Sequence, residues 1–231
     1  MRYFFFLALA LLTCACSRPR ETPAAPSDDS RSAVPPPEPA PPPAAAPDPR
    51  KVIAVFGDSI SAGYGLSQGQ SFPDDMQKDL DADHRSFHVV NLGISGDTTD
   101  GGVSRIDSAT SLHPAIVLLE LGGNDGLRGM PVTATRANLE KMIVAFQGAR
   151  AKVVLAGMTL PPNYGPDYIR DFQQIYTDLA AKYKLILIPF LMQDIITRDL
   201  RYIQGDGIHP TAAGSEIIAH TVLHAMNPLL R

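Results

Sequence analysis

After Arg50 the apolar positions follow two rhythms. Five short runs rich in β-branched residues read as strands: Val52–Phe56, Phe87–Asn91, Ala115–Leu121, Lys152–Ala156 and Leu185–Pro189. Between them the spacing lengthens. Leu139, Met142, Ile143 and Phe146 fall at i, i+3, i+4 and i+7, one face of a helix, and Phe172, Ile175, Tyr176, Leu179 and Tyr183 continue the same logic later. A last helix is expected from near Thr211 to before Pro228. Ile116-Val117-Leu118-Leu119 and Leu185-Ile186-Leu187-Ile188 show no polar alternation, as expected of strands buried on both faces. Strands alternating with helices predict one α/β domain over residues 51–231, its parallel sheet covered on both sides. No internal repeat interrupts the pattern.

The first fifty residues obey neither rhythm. Residues 1–16 read MRYFFFLALALLTCAC, with Arg2 the single charge and an apolar run from Tyr3 to Leu12. That run is too short to span a bilayer and fits the apolar region of a secretory signal. Residues 17–50 are dominated by proline and alanine and lack any aromatic. Such a segment cannot bury apolar surface and is expected to stay disordered, largely polyproline-like. At about 3.1 Å per residue it reaches at most ~100 Å.

Composition narrows the function classes. The chain has 231 residues, a net charge of −4 and no basic run, which excludes an electrostatic footprint for nucleic acid. Its only two cysteines, Cys14 and Cys16, lie in the leader, so the folded part has no disulfide framework.

In open α/β sheets, ligands sit beyond the carboxyl ends of the strands. The segments there read GDSIS, LGISGDTT, GGNDG and GMTLPPNYG, and after the fifth strand a longer stretch leads to GDGIHP. Two serines compete as nucleophile. Ser67 sits in Gly65-Leu66-Ser67-Gln68-Gly69, which matches the G-x-S-x-G elbow. An elbow needs a strand directly before its serine, and Ser67 follows glycine-rich loop instead. The next helix is expected to open at Ser71, the N-cap of a Ser71-Phe72-Pro73-Asp74 capping pattern. Ser59 follows a strand through the tight turn Gly57-Asp58 and opens a helical segment. Taken alone, Asp58-Ser59 reads equally well as a simple helix cap.

The remaining loops shift that balance. Of six histidines only His209 lies in a strand-end loop with a nearby acid, in Asp206-Gly207-Ile208-His209-Pro210. There Asp206 is placed to hold one ring nitrogen while the other faces Ser59. Asn124 offers a side-chain amide and Gly96 an accessible backbone N–H for an oxyanion. Four loops thus supply nucleophile, base with acid, and two donors, the set a serine hydrolase needs.

Gly57-Asp58-Ser59, Gly96, Gly122-Gly123-Asn124-Asp125 and Asp206-Gly207-Ile208-His209-Pro210 resemble, in order, the blocks of the SGNH or GDSL-type hydrolase superfamily. Glu120 to Gly129, ELGGNDGLRG, and Pro161-Pro162-Asn163-Tyr164-Gly165 look like the branch of bacterial arylesterases and multifunctional acyl-CoA thioesterase I/lysophospholipase enzymes. Ile60 stands where the family name carries Leu. The resemblance covers 51–231. It implies a three-layer α/β/α sandwich with a five-stranded parallel sheet, flavodoxin-like in its winding. It implies Ser59 as nucleophile, His209 as base and Asp206 as its orienting acid, with an oxyanion hole from the Ser59 and Gly96 N–H groups and the Asn124 side chain. It also implies an acyl-enzyme on Ser59, no metal or cofactor, a small ester or lipid substrate, and a loop at Gly126–Met130 that moves on binding. Phe72, Met130, Pro161 and Tyr164 are expected near the pocket.

Residues 1–15 resemble a bacterial lipoprotein signal, with Cys16 after Ala15 as the lipid-bearing residue and 16–50 as a tether. Thr13 departs from the usual Leu three places earlier; Cys14, preceded by Leu11, is the alternative. Ser17 after Cys16 favours the outer membrane, so an exported enzyme anchored on the periplasmic face is expected. Oligomeric state is not indicated. Other readings are a carbohydrate or peptidoglycan O-acetylesterase, a non-catalytic binding lipoprotein, or a metal site on Glu216, His220 and His224, one helical face without an H-E-x-x-H motif.

Overall fold

The computed structural model describes residues 48–197 and 199–231. The leader, Cys14, Cys16 and the tether up to residue 47 lie outside the described residues. Five strands form one wholly parallel sheet: β1 (Lys51–Gly57), β2 (Phe87–Asn91), β3 (Ile116–Glu120), β4 (Lys152–Ala156) and β5 (Ile186–Ile188). Their spatial order is β2-β1-β3-β4-β5. The runs that lack polar alternation are central: β3 is buried along its whole length, and β1 from Ile53 onward.

The ends of the fifth run differ from the sequence expectation for a local reason. Leu185 N donates to Ala180 O at the end of the preceding helix, so this residue closes that helix instead of opening the strand. Pro189 has no N–H to offer a ladder. Strand β5 is therefore only three residues long.

Four longer helices carry the apolar faces that cover the sheet. They are the second, sixth, seventh and ninth of the nine α-helices among the described residues: α1 (Ser59–Ala62), α2 (Phe72–Ala82), α3 (Thr99–Ser104), α4 (Ile106–Thr110), α5 (Gly123–Leu127), α6 (Val132–Gly148), α7 (Pro166–Tyr183), α8 (Gln193–Ile196) and α9 (Ala212–Met226). Helices α2 and α9 pack together on one face, and α3, α6 and α7 pack in series on the other. The predicted stripes face inward, with Leu139, Met142, Ile143 and Phe146 of α6 and Phe172, Ile175, Tyr176 and Leu179 of α7 all buried. Phe146 meets Phe56 of β1 edge-on, ring centroids 5.2 Å apart.

Helix starts follow the caps. Ser71 accepts from Asp74 N while the Asp74 carboxylate accepts from Ser71 N, a complete capping box. Thr211 caps α9 by accepting from Gly214 N. Helix α7 opens at Pro166, earlier than its apolar stripe, since a proline at the first helical position surrenders only an N–H that has no partner there anyway.

With this order the winding reverses between β1 and β3, and the carboxyl ends of those two strands border the crevice where doubly wound sheets hold ligands. Register places Gly57 beside Glu120. The loops carrying Ser59 and Asn124 therefore start side by side.

Candidate active site

Asp58, between β1 and α1, caps the short helix by accepting from Ile60 N at 3.1 Å. Ser59 is then the first helical residue. Its Oγ lies 2.7 Å from His209 Nε2, although the two are 150 residues apart in sequence. His209 Nδ1 lies 2.6 Å from Asp206 Oδ2. The other Asp206 oxygen accepts from Ile208 N at 2.9 Å and His209 N at 3.0 Å. The 206–209 turn therefore closes on its own carboxylate, with Gly207 at φ +74° making the reversal. Partial burial pushes the Asp206 carboxyl up, but the hydrogen bonds from His209 and Ile208 outweigh it and hold it at about 2. It stays an acceptor throughout the neutral range.

Asn124, in α5, brings its amide to the same place. Nδ2 donates to Asp58 Oδ2 at 3.1 Å and to Asp97 O at 2.9 Å. Gly96, at φ +80°, lines the same cavity, and its carbonyl accepts from Arg128 Nη2 at 2.9 Å. The structure thus brings together Ser59, His209, Asp206, Gly96 and Asn124. Ser67 lies in the loop between α1 and α2, outside the cavity lining, its N–H bonded to the Gln70 side chain.

The cavity holds about 400 Å³ and is lined around Ser59 and His209 by Ile60, Tyr64, Ser95, Leu127 and Ile208. The expected neighbours do not line it. Phe72 is fully buried in the core, because the capping box turns the first residue of α2 inward. Tyr164 and Met130 act one step back. Tyr164 Oη donates to Leu127 O and Tyr168 Oη to Met130 O, each at 2.8 Å, so this pair of hydroxyls ties down the 126–130 segment. Glu216, His220 and His224 do not form a cluster; His220 Nδ1 instead faces Asp79 Oδ2 at 3.5 Å.

Two supporting groups had no role assigned from the sequence patterns. Arg105 Nη2 donates to Gly57 O, Nη1 to Leu92 O and Nε to Asp97, at 2.8, 2.7 and 2.7 Å. Its guanidinium also lies 3.9 Å above the centre of the Phe56 ring. One side chain thereby joins the nucleophile loop to the Gly96 loop. Glu120, at the end of β3, is fully buried; Oε2 accepts from Asp58 N at 3.1 Å and Ser61 Oγ at 2.5 Å, while Oε1 finds no partner among the described residues. Glu120 is marked only by its burial and Arg105 only by its hydrogen bonds, and neither is visible in a string of letters.

A family model described as "GDSL-like Lipase/Acylhydrolase family" matches residues 55–217. Esterase TesA of Pseudomonas aeruginosa is 41% identical over 181 residues, 78% of this chain and 90% of that protein. Thioesterase 1/protease 1/lysophospholipase L1 of Escherichia coli is 36% identical over 179 residues, 77% of this chain and 84% of that protein. Among solved structures, the psychrotrophic esterase EstA of Pseudoalteromonas sp., inhibited by monoethylphosphonate, superposes with a TM-score of 0.74 at 33% identity, covering 78% of this chain and 98% of that one. With the match spanning most of the chain and nearly all of its α/β core, the protein belongs to the GDSL-like lipase/acylhydrolase family and is an ester hydrolase.

Proposed function

We propose that the chain is a serine esterase that cleaves aryl and acyl esters through an acyl-enzyme on Ser59. The observation that carries this is the unbroken line from Ser59 Oγ through His209 to Asp206, with steps of 2.7 and 2.6 Å, at the wall of a largely apolar cavity. Ser59 Oγ attacks the ester carbonyl carbon while its proton passes to His209 Nε2. The carbonyl oxygen becomes an oxyanion facing the Ser59 and Gly96 N–H groups and the Asn124 amide. Both Asn124 hydrogens are engaged in the resting site, so the longer bond, to Asp58, is the one that yields to the oxyanion. Collapse expels the alcohol, which takes the proton from His209. Water then attacks the acyl carbon with His209 again as base, and the carboxylic acid leaves. Asp206 holds the ring tautomer and supports the imidazolium formed in each half-reaction.

The lining favours an acyl chain or aryl ring over a sugar: Ile60, Tyr64, Leu127 and Ile208 surround the serine. Thioesters and lysophospholipids have the same acyl carbonyl and fall within this reading. The similar E. coli enzyme carries both activities in its name. EstA's inhibition by a phosphonate fits a hydrolase with a nucleophilic serine. We place residues 1–15 as a signal, Cys16 as the lipid-bearing residue, 16–50 as a tether and 51–231 as the catalytic domain, exported and held at the outer membrane. Mass spectrometry of the mature N-terminus tests that placement: an unmodified residue other than Cys16 rejects it.

The reaction is tested with p-nitrophenyl esters from acetyl to palmitoyl, using the wild type and Ser59→Ala. Turnover is expected to disappear in the variant with the circular dichroism unchanged, and intermediate chains are expected to beat acetyl. Turnover kept by Ser59→Ala rejects the assignment; a strict preference for acetyl rejects the acyl-chain reading.

A further inference from the structure

One side-chain amide joins the loop of the proposed nucleophile to the loop of the proposed base. Gln204 precedes the 206–209 turn. Its N–H donates to His209 O at 2.7 Å and its carbonyl accepts from Gly207 N at 3.0 Å. Beside it, Ile203 pairs with Pro210 in an isolated antiparallel bridge, and Thr211 N donates to Tyr202 O at 2.9 Å. The backbone on both sides of His209 is therefore closed into a short two-stranded turn.

The Gln204 side chain then reaches out of that turn. Nε2 donates to Pro210 O at 2.8 Å and to Tyr64 O at 2.7 Å. Both acceptors are carbonyls, so the NH₂ end of the amide must be the one facing them. Tyr64 completes the circuit. Its N–H donates to Ser59 O at 3.0 Å, and its ring rests on the His209 ring, centroids 4.5 Å apart and planes tilted by 37°. Gly65 makes room for the amide: at φ +76°, a Cβ there would meet Gln204 Oε1 at 2.4 Å.

We propose that Gln204 is a positioning residue, holding the His209 ring within reach of Ser59 Oγ through Tyr64 and through the backbone of His209 and Pro210. The proposal rests on Ser59 and His209 being nucleophile and base. Asp206 fixes one edge of the imidazole, but a ring held at one edge still swings about that bond. The face contact with Tyr64 stops the swing, and the Gln204 amide sets the distance between the loops carrying the two rings. A misplacement of 1 Å far from the chemistry costs on the order of 10²-fold.

The test variant is Gln204→Met, which keeps length and apolar volume but has no donor. Expected is a loss of kcat of about 10- to 100-fold, with KM moved less than about threefold, the signature of a lost transition-state geometry. The downfield proton resonance of the His209–Asp206 hydrogen bond is expected to broaden. Gly65→Ala displaces the amide from the other side, so the double variant is expected to be no slower than the slower single one. Wild-type kcat in Gln204→Met, with Ser59→Ala inactive, overturns the proposal alone. So do losses that multiply in the double variant, or a Gln204→Met chain that does not fold, since the amide would then hold the domain and not the ring. Turnover retained by Ser59→Ala overturns the underlying reading and this proposal with it.

Discussion

Asp58 and Glu120 form a buried carboxyl pair beside the proposed nucleophile. Burial pushes the Asp58 carboxyl up to about 6. Burial, together with the nearby Asp58 charge, pushes Glu120 well above its ordinary value of 4.5. Glu120 therefore keeps its proton to higher pH than an ordinary glutamate, and the Asp58 carboxylate accepts from the Asn124 amide. A carboxyl with a folded-state pKa above its unfolded one stabilises the fold most at low pH, and that contribution is lost as pH rises through the folded value. Replacing Glu120 by Gln removes one such group. Relative to Glu120→Gln, the wild type is expected to lose up to about 1.4 kcal/mol of stability per pH unit as pH rises above the ordinary glutamate range. The variant's new NH₂ has no acceptor where Oε1 now lies unpartnered, a cost of about 1–3 kcal/mol that the wild type shares only while Glu120 is protonated. Urea unfolding from pH 5 to pH 8 measures both terms; parallel curves would place the proton elsewhere. Asp206 works in the opposite sense, its contribution lost only as pH falls toward about 2.

The longer elements are written in the sequence, and the short ones are not. Central strands such as β3 are apolar on both faces because helices cover both, so a continuous run marks them. Helices α6, α7 and α9 repeat their apolar stripes over several turns. Helices α1, α3, α4, α5 and α8 span four to six residues each, too few for any periodicity. They stand at strand ends because tertiary partners hold them, such as the Asp125 carboxylate that accepts from Thr99 N at 2.9 Å and Thr99 Oγ1 at 2.5 Å. The site divides in the same way. Ser59, Gly96, Asn124, Asp206 and His209 were legible because strand-end loops in a parallel sheet converge on one edge. The supporting roles of Arg105, Glu120 and Gln204 were not, because each bridges segments far apart in sequence. The Ser71 cap is a legible element with no part in the chemistry. Ser71→Ala removes its bonds to Asp74 and is expected to cost about 1 kcal/mol. In a domain of this size that is a fall of about 2–4 °C in Tm, with kcat on a soluble ester unchanged. A thermal melt and one rate measurement check it; a fall in kcat would tie the start of α2 to the reaction.

The loops of the candidate site and the start of β1 occupy opposite edges of the sheet. Every strand is parallel, so Lys51 and Lys152 open their strands at one edge while Gly57 and Glu120 end theirs at the other. The chain joins at the amino edge, where Arg50 Nη1 donates to Asp81 Oδ1 at 2.9 Å. The buried apolar cluster runs from Ile53 to Leu230, and every residue placed in the site lies within it in sequence. A chain beginning at Ala46 is expected to fold alone and to hydrolyse a soluble p-nitrophenyl ester with kcat/KM within about twofold of the full chain. A tenfold loss would mean that the leading segment completes the cavity. If the rate holds, the leading segment has no part in the rate of the reaction, and the lipid proposed at Cys16 would act only on where the reaction takes place.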